Sequence, residues 1–163
     1  MKNILLVCTG NTCRSAMAEA LFEDAVDRSS KLAGKIKLDS AGTFACEGQE
    51  ATAKACQVME EIGLDLDKHK AKQINAELVE WADLILAMEA SHIEHMEAMF
   101  PKAEDKMHTI IGYAEGVPGF PGDGRYDIED PYGEDVEEYR SCAHQLRAYI
   151  EKIIKRLEDE AEN

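Results

Sequence analysis

The sequence predicts an α/β fold, a four-stranded parallel sheet with helices on both faces, and three observations support this. Four short strand-like segments alternate with stretches of helical periodicity, the order that builds a parallel sheet covered by helices. The first segment, Asn3-Ile4-Leu5-Leu6-Val7, is an almost unbroken apolar run, as a strand buried on both faces requires. At the other end, Val136, Tyr139, Ala143, Leu146, Ile150, Ile153 and Leu157 form the 3-4 spaced stripe of one long terminal helix. A length of 163 residues, 45% of them hydrophobic, suits one domain over 1–163 with a sizeable core.

The elements follow in order. After the first strand, Met17, Ala18, Leu21, Phe22, Ala25 and Val26 recur at helical spacing, so Cys8 to Ser15 is a strand-to-helix turn. Lys35 to Ser40 alternates and ends in Ser40-Ala41-Gly42-Thr43, a second strand running into a turn. Ala51, Ala55, Val58, Met59 and Ile62 mark a helix stopped by Gly63. Ala82 to Met88 is the third strand, and Ser91 with Glu94 forms a capping box opening a short helix that carries Ile93, Met96 and Met99. His92 and His95 on that helix have no third metal ligand nearby and are assigned to its polar face. Met107 to Ile111 is the fourth strand. Gly112 to Pro131 then holds five glycines and three prolines without periodicity and is expected to be a long loop, which in a compact domain is usually functional or disordered. An acidic tail from Glu158 is expected to fray.

The chemistry concentrates in Cys8-Thr9-Gly10-Asn11-Thr12-Cys13-Arg14-Ser15. A turn of this kind points backbone N–H groups and the positive end of a helix dipole at one spot, which is how proteins hold phosphate-like anions. Gly10 lets the backbone curl. Cys8, at the strand end, lies under that field, which favours the nucleophilic thiolate over the thiol. Arg14 supplies a fork of donors for phosphoryl oxygens, and Ser15 can donate its hydroxyl to the sulfur. Cys13 lies five residues from Cys8 in the same turn, which predicts a reversible Cys8–Cys13 disulfide under peroxide.

Cys-x5-Arg-Ser directly after an apolar strand is the motif of cysteine-dependent phosphatases, and its N-terminal placement resembles the low-molecular-weight protein tyrosine phosphatase family. The resemblance runs from the first strand to the terminal helix, with only loop lengths and residues 112–126 poorly matched. It implies that Cys8 attacks phosphorus, that Thr9 to Ser15 bind the phosphate, and that Asp130 of Asp130-Pro131-Tyr132 is the acid and later the base of a phosphocysteine pathway. It further implies that Ser40 lies near the nucleophile loop, that His69 helps fix Asn11, that neither metal nor cofactor is required, and that phosphate-like oxyanions inhibit. Ala16 departs from the proline the family often has after the serine, a small change at a first helical turn. Thr12 matters for substrate: members acting on phosphotyrosine commonly carry isoleucine there, while Cys-Thr-Gly-Asn-Thr-Cys-Arg-Ser resembles the members acting on phosphoarginine. Tyr132, by contrast, follows the tyrosine-directed members. Phosphoarginine on a protein is the favoured substrate and phosphotyrosine the alternative.

Composition narrows the partners. Asp+Glu of 33 against Lys+Arg of 18 leaves a net charge of −15, which disfavours nucleic acid and anionic membranes and favours basic protein surfaces. No apolar stretch is long enough to span a bilayer, and Met1-Lys2-Asn3 runs into a strand without a signal pattern, so a cytoplasmic location is expected. Five cysteines, an odd number, fit reduced thiols better than a disulfide framework. Two rival readings remain. An arsenate reductase would need two further cysteines well down the chain, and none lies between Cys56 and Cys142. A non-catalytic anion-binding module would leave the filled catalytic positions without a use.

Overall fold

The computed structural model describes residues 1–117, 122 and 124–162. Its sheet is built from β1 (Lys2–Cys8), β2 (Ile36–Gly42), β3 (Leu84–Ala87) and β4 (Met107–Thr109), in the order β2-β1-β3-β4. Every pairing is parallel, with Cys8 beside Gly42, Val7 beside Ala87, and Ala87 beside Thr109. The carboxyl ends of the three longer strands therefore meet at Cys8, Gly42 and Met88. In open α/β sheets such an edge is where ligands bind.

The alternation of a strand explains why helices cover both faces. From β1, Ile4, Leu6 and Cys8 enter one apolar cluster, shared with Met17 and Phe22 of α1 (Arg14–Asp27), Met59 of α2 (Ala53–Glu61) and Leu146 and Ile150. Leu5 and Val7 enter the other, with Val79 of α3 (Ala76–Trp81) and Ile93 and Met96 of α4 (Ala90–Met99). A 3₁₀ turn (Pro101–Lys106) leads to β4, α5 (Ile110–Glu115) follows it, and α6 (Val136–Ala161) closes the chain.

Several local expectations need correction. The fourth strand stops at Thr109, because the Thr109 hydroxyl accepts the Gly112 N–H at 3.0 Å and caps α5, so Ile110 and Ile111 are helical. Helix α4 begins at Ala90 with Glu89 as its N-cap, two residues before the Ser91–Glu94 box. Its histidines do not share a polar face: His92 is buried, and His95 packs against Phe44 with ring centroids 4.8 Å apart and the rings tilted by 50°. The acidic tail is helical to Ala161, held by Ser29 donating to Glu158 at 2.6 Å and by ion pairs of Lys2 with Glu160 and Lys31 with Glu162. Part of the expected 112–131 loop is helix α5 and part is anchored: Ile128 is fully buried and donates to Met88 O at 2.8 Å, and Asp127 accepts the Ala90 N–H at 2.9 Å. Residues 118–121 and 123 of that segment lie outside the described residues, as does Asn163.

Candidate active site

Cys8 ends β1, and the chain then curls through Thr9 to Cys13 before α1 starts at Arg14. The curl needs a left-handed residue, and Asn11 supplies it at φ 57°, the one positive φ outside glycine among the described residues. Its side chain holds the strained backbone in place. Asn11 Nδ2 donates to Ser15 Oγ at 2.8 Å and Ser40 Oγ at 3.0 Å, while Oδ1 accepts the Lys72 N–H at 2.9 Å. The Asn11 carbonyl accepts a 2.6 Å bond from His69 Nε2. The Ser40 hydroxyl in turn donates a hydrogen bond to Glu19 Oε1 at 2.6 Å, and burial raises the pKa of that carboxyl. Four residues from three parts of the chain, Ser15, Ser40 and the 69–72 segment, thus converge on one asparagine.

The same network aims two donors at the Cys8 sulfur, which is 1% exposed. Asn11 N–H donates to Sγ at 3.3 Å. Ser15 Oγ lies 2.9 Å from Sγ, and because it already accepts from Asn11, its hydroxyl proton is left to point at the sulfur. Such donors stabilise a thiolate.

Arg14 is 1% exposed. Its Nη1 donates to Glu89 Oε2 at 2.7 Å and to the Ile128 carbonyl at 2.8 Å, and its Nη2 faces Asp130 Oδ2 at 3.5 Å. Burial works against its charge, but Cys8, Glu89 and Asp130 outweigh burial and raise its pKa. Its Nε is buried without a hydrogen-bond partner, a donor that an oxyanion in the loop could satisfy.

Asp130 stands across the loop with its side chain 43% exposed. Its Oδ1 accepts the Tyr132 N–H at 3.1 Å and the Cys13 thiol at 3.7 Å. Burial, then Cys8 and Asp130, push the Cys13 thiol up to about 12, so it is protonated at neutral pH. The Tyr132 ring is exposed. Thr12 is buried, its carbonyl accepting the Thr52 N–H at 2.9 Å, and its Oγ1 lies 3.6 Å from where a Cβ on Gly10 would sit.

All the residues singled out from the sequence therefore meet at the carboxyl edge of the sheet. Glu89 was not among them, and His92 is the histidine that the sequence assigns to a polar helix face. Glu89 directly follows the Met88 that ends the third apolar run, so its place on that edge was the available signal. His92 carried none beyond its spacing of three from Glu89.

The sequence profile of the low molecular weight phosphotyrosine protein phosphatase family matches residues 3–163. The chain belongs to that family. Its phosphatase relatives include a protein-arginine-phosphatase of Geobacillus stearothermophilus, 38% identical over 96% of this chain and 97% of that one. A low molecular weight protein-tyrosine-phosphatase of Acinetobacter johnsonii is 39% identical over 82% of each chain. Among solved structures, an arginine phosphatase from Geobacillus stearothermophilus superposes with a TM-score of 0.86 at 37% identity, covering 98% of this chain and 95% of that chain. Another arginine phosphatase structure, a Cys→Ser mutant with a phosphorylated active-site serine, matches with a TM-score of 0.85 at 33% identity over 95% of both chains. A cysteine-based mechanism is characteristic of this phosphatase family, and no described helix is long and apolar enough to cross a membrane.

Proposed function

We propose that this phosphatase hydrolyses phosphoarginine on proteins through a phosphocysteine on Cys8, without a metal or cofactor. The observation that carries the reading is the Cys8 sulfur at the floor of a loop whose donors converge on it, beside a buried Arg14 with an unpartnered Nε. Thr9 to Ser15 cradle the three phosphoryl oxygens, and Arg14 follows them into the transition state. Sγ attacks phosphorus, the P–N bond breaks, and Asp130 hands its proton to the departing guanidine nitrogen. Water then attacks the S–P bond with Asp130 as base, releasing phosphate and restoring the thiolate. Free phosphate and similar oxyanions would occupy the same cradle and inhibit.

Ser40 and His69 act through Asn11, and Tyr132 acts through the backbone N–H that orients Asp130. The arginine-directed relatives support the choice of substrate, and so does chemistry: Thr12 offers a hydroxyl where isoleucine would offer an apolar wall, and Asp127, Glu129 and Asp130 make the mouth acidic. Phosphotyrosine is the competing substrate, favoured by Tyr132.

Kinetics on phosphoarginine and phosphotyrosine peptides, compared side by side, decide between them. The parent should favour phosphoarginine, and Thr12→Ile should raise the phosphotyrosine-to-phosphoarginine ratio of kcat/KM by at least about tenfold, some 1.4 kcal/mol. A parent that prefers phosphotyrosine would make the protein a tyrosine phosphatase, and an unchanged ratio in the variant would remove Thr12 as the residue that discriminates.

A further inference from the structure

The first turn of α4 touches both ends of the phosphate loop. At the far end, Glu89 Oε2 accepts from Arg14 Nη1 at 2.7 Å. At the near end, the buried His92 ring lies 2.8 Å from Thr9 Oγ1 through its Nε2. The other ring nitrogen, Nδ1, accepts the Glu89 backbone N–H at 3.1 Å. An acceptor nitrogen carries no proton, so the neutral ring must carry its proton on Nε2 and donate it to Thr9. Burial first, and then Arg14, push the His92 pKa down to about 4, which keeps the ring in that state at neutral pH. Glu89 Oε2 is 3.6 Å from Nε2, too far to compete with the Thr9 hydroxyl.

We propose that this turn is a clamp on the phosphate loop, in which His92 positions Thr9 while Glu89 positions Arg14. The inference rests on the loop being the phosphate site described above. His92 is a positioning residue: its nitrogens are spent on Thr9 and on the Glu89 backbone, so it acts on the anion only through the loop it holds. One imidazole joins the cap of α4 to the loop entrance, so the spacing between Thr9 and Arg14 is set by a single helical turn. Loss of the Nε2 donor frees the entrance while the Glu89–Arg14 pair remains.

Two amide substitutions separate the ring's two jobs, because they reproduce different nitrogens. In His92→Asn the short amide can still accept from Glu89 N–H but cannot reach Thr9. In His92→Gln the longer amide reaches Thr9 as a donor and no longer matches the cap. The readouts are the dissociation constant of inorganic phosphate by calorimetry, which needs no turnover, and kcat/KM on p-nitrophenyl phosphate. His92→Asn and Thr9→Val should each weaken phosphate binding and kcat/KM by about tenfold, the scale of a displaced binding group. The double variant should lose no more than either single one, and His92→Gln should stay within about threefold of the parent. A purely structural capping role would reverse the order, with His92→Asn near the parent and His92→Gln impaired, and that result overturns the clamp. So do multiplying losses in the double variant. A parent that binds phosphate without turning over any phosphate compound would instead overturn the phosphatase reading, and the affinity series would still decide the clamp.

Discussion

Asp130 is the residue whose role can be separated most cleanly from binding. Its carboxylate meets Arg14, Cys13 and the Tyr132 N–H within one small volume, yet a general acid matters only in proportion to how badly the leaving group needs a proton. Asp130→Asn should therefore lower kcat by about 10²–10⁴ on phosphoarginine peptides, and by much less on p-nitrophenyl phosphate, whose phenolate leaves unaided. Equal losses on both substrates would remove the acid role. Cys13 lends itself to a second test. Peroxide oxidises the Cys8 thiolate to a sulfenic acid, Cys13 then attacks that sulfur, water leaves, and its S–H proton has Asp130 Oδ1 at 3.7 Å as a ready acceptor. Parent enzyme treated with peroxide should regain activity with a dithiol reductant, whereas Cys13→Ser should stay largely inactive; full recovery of the variant would show that Cys13 does not protect Cys8. The residues of the loop stood out because cysteine, glycine, asparagine and arginine within one turn are a composition that packing alone would not select. Glu89 and His92 were not, because a carboxylate and an imidazole in the first turn of a short helix look like surface residues until the sheet places them against Arg14 and Thr9.

At the scale of elements, the end of β2 is pressed against the phosphate loop. Thr43 and Phe44 donate to the carbonyls of Cys8 and Thr9 at 2.9 and 3.0 Å, and a Cβ on Gly42 would lie 2.3 Å from the Thr9 oxygen. Backbone cannot swing aside as a side chain can, so Gly42→Ala should displace the loop. The expected outcome is a fall in kcat/KM of at least about tenfold with a stability loss of about 1–3 kcal/mol, measured by steady-state kinetics and urea unfolding; parent-like activity would show that the two segments are not mechanically joined. The β1 and β3 segments were legible as apolar runs, and β2 by its alternation, each followed by a turn. Helices α3 and α5, at 6 residues each, escaped because they are under two turns and show no period. Their caps, Asn75 and Thr109, were the only marks they left. Terminal order along α6 was underestimated for a different reason: acidic residues fray unless cations face them, and Lys2 and Lys31 come from the other end of the chain.

Across the whole molecule, a net charge of −15 surrounds the loop proposed to hold the phosphoryl group. The two are compatible because the proposed attraction for phosphoryl oxygens would be local, from loop N–H groups and one buried guanidinium, whereas the surface field acts at longer range and would favour a basic protein bearing the phosphate. The sheet sets this up by ending three strands at one edge, so that Cys8, Gly42 and Ala87, two residues before Glu89, come together although they are far apart in sequence. Everything proposed for the reaction turns on the phosphoryl group passing to Cys8. The direct measurement is to mix the enzyme with a phosphoarginine peptide in a metal chelator, quench within milliseconds into alkaline denaturant, digest, and locate the phosphate by mass spectrometry. The phosphate should be found on sulfur in the peptide that contains Cys8, with turnover unaffected by the chelator, and no phosphocysteine should form in Cys8→Ser, which loses turnover but still binds phosphate. Phosphate attached to another residue of the parent, or steady turnover by Cys8→Ser, would contradict a mechanism built on this loop.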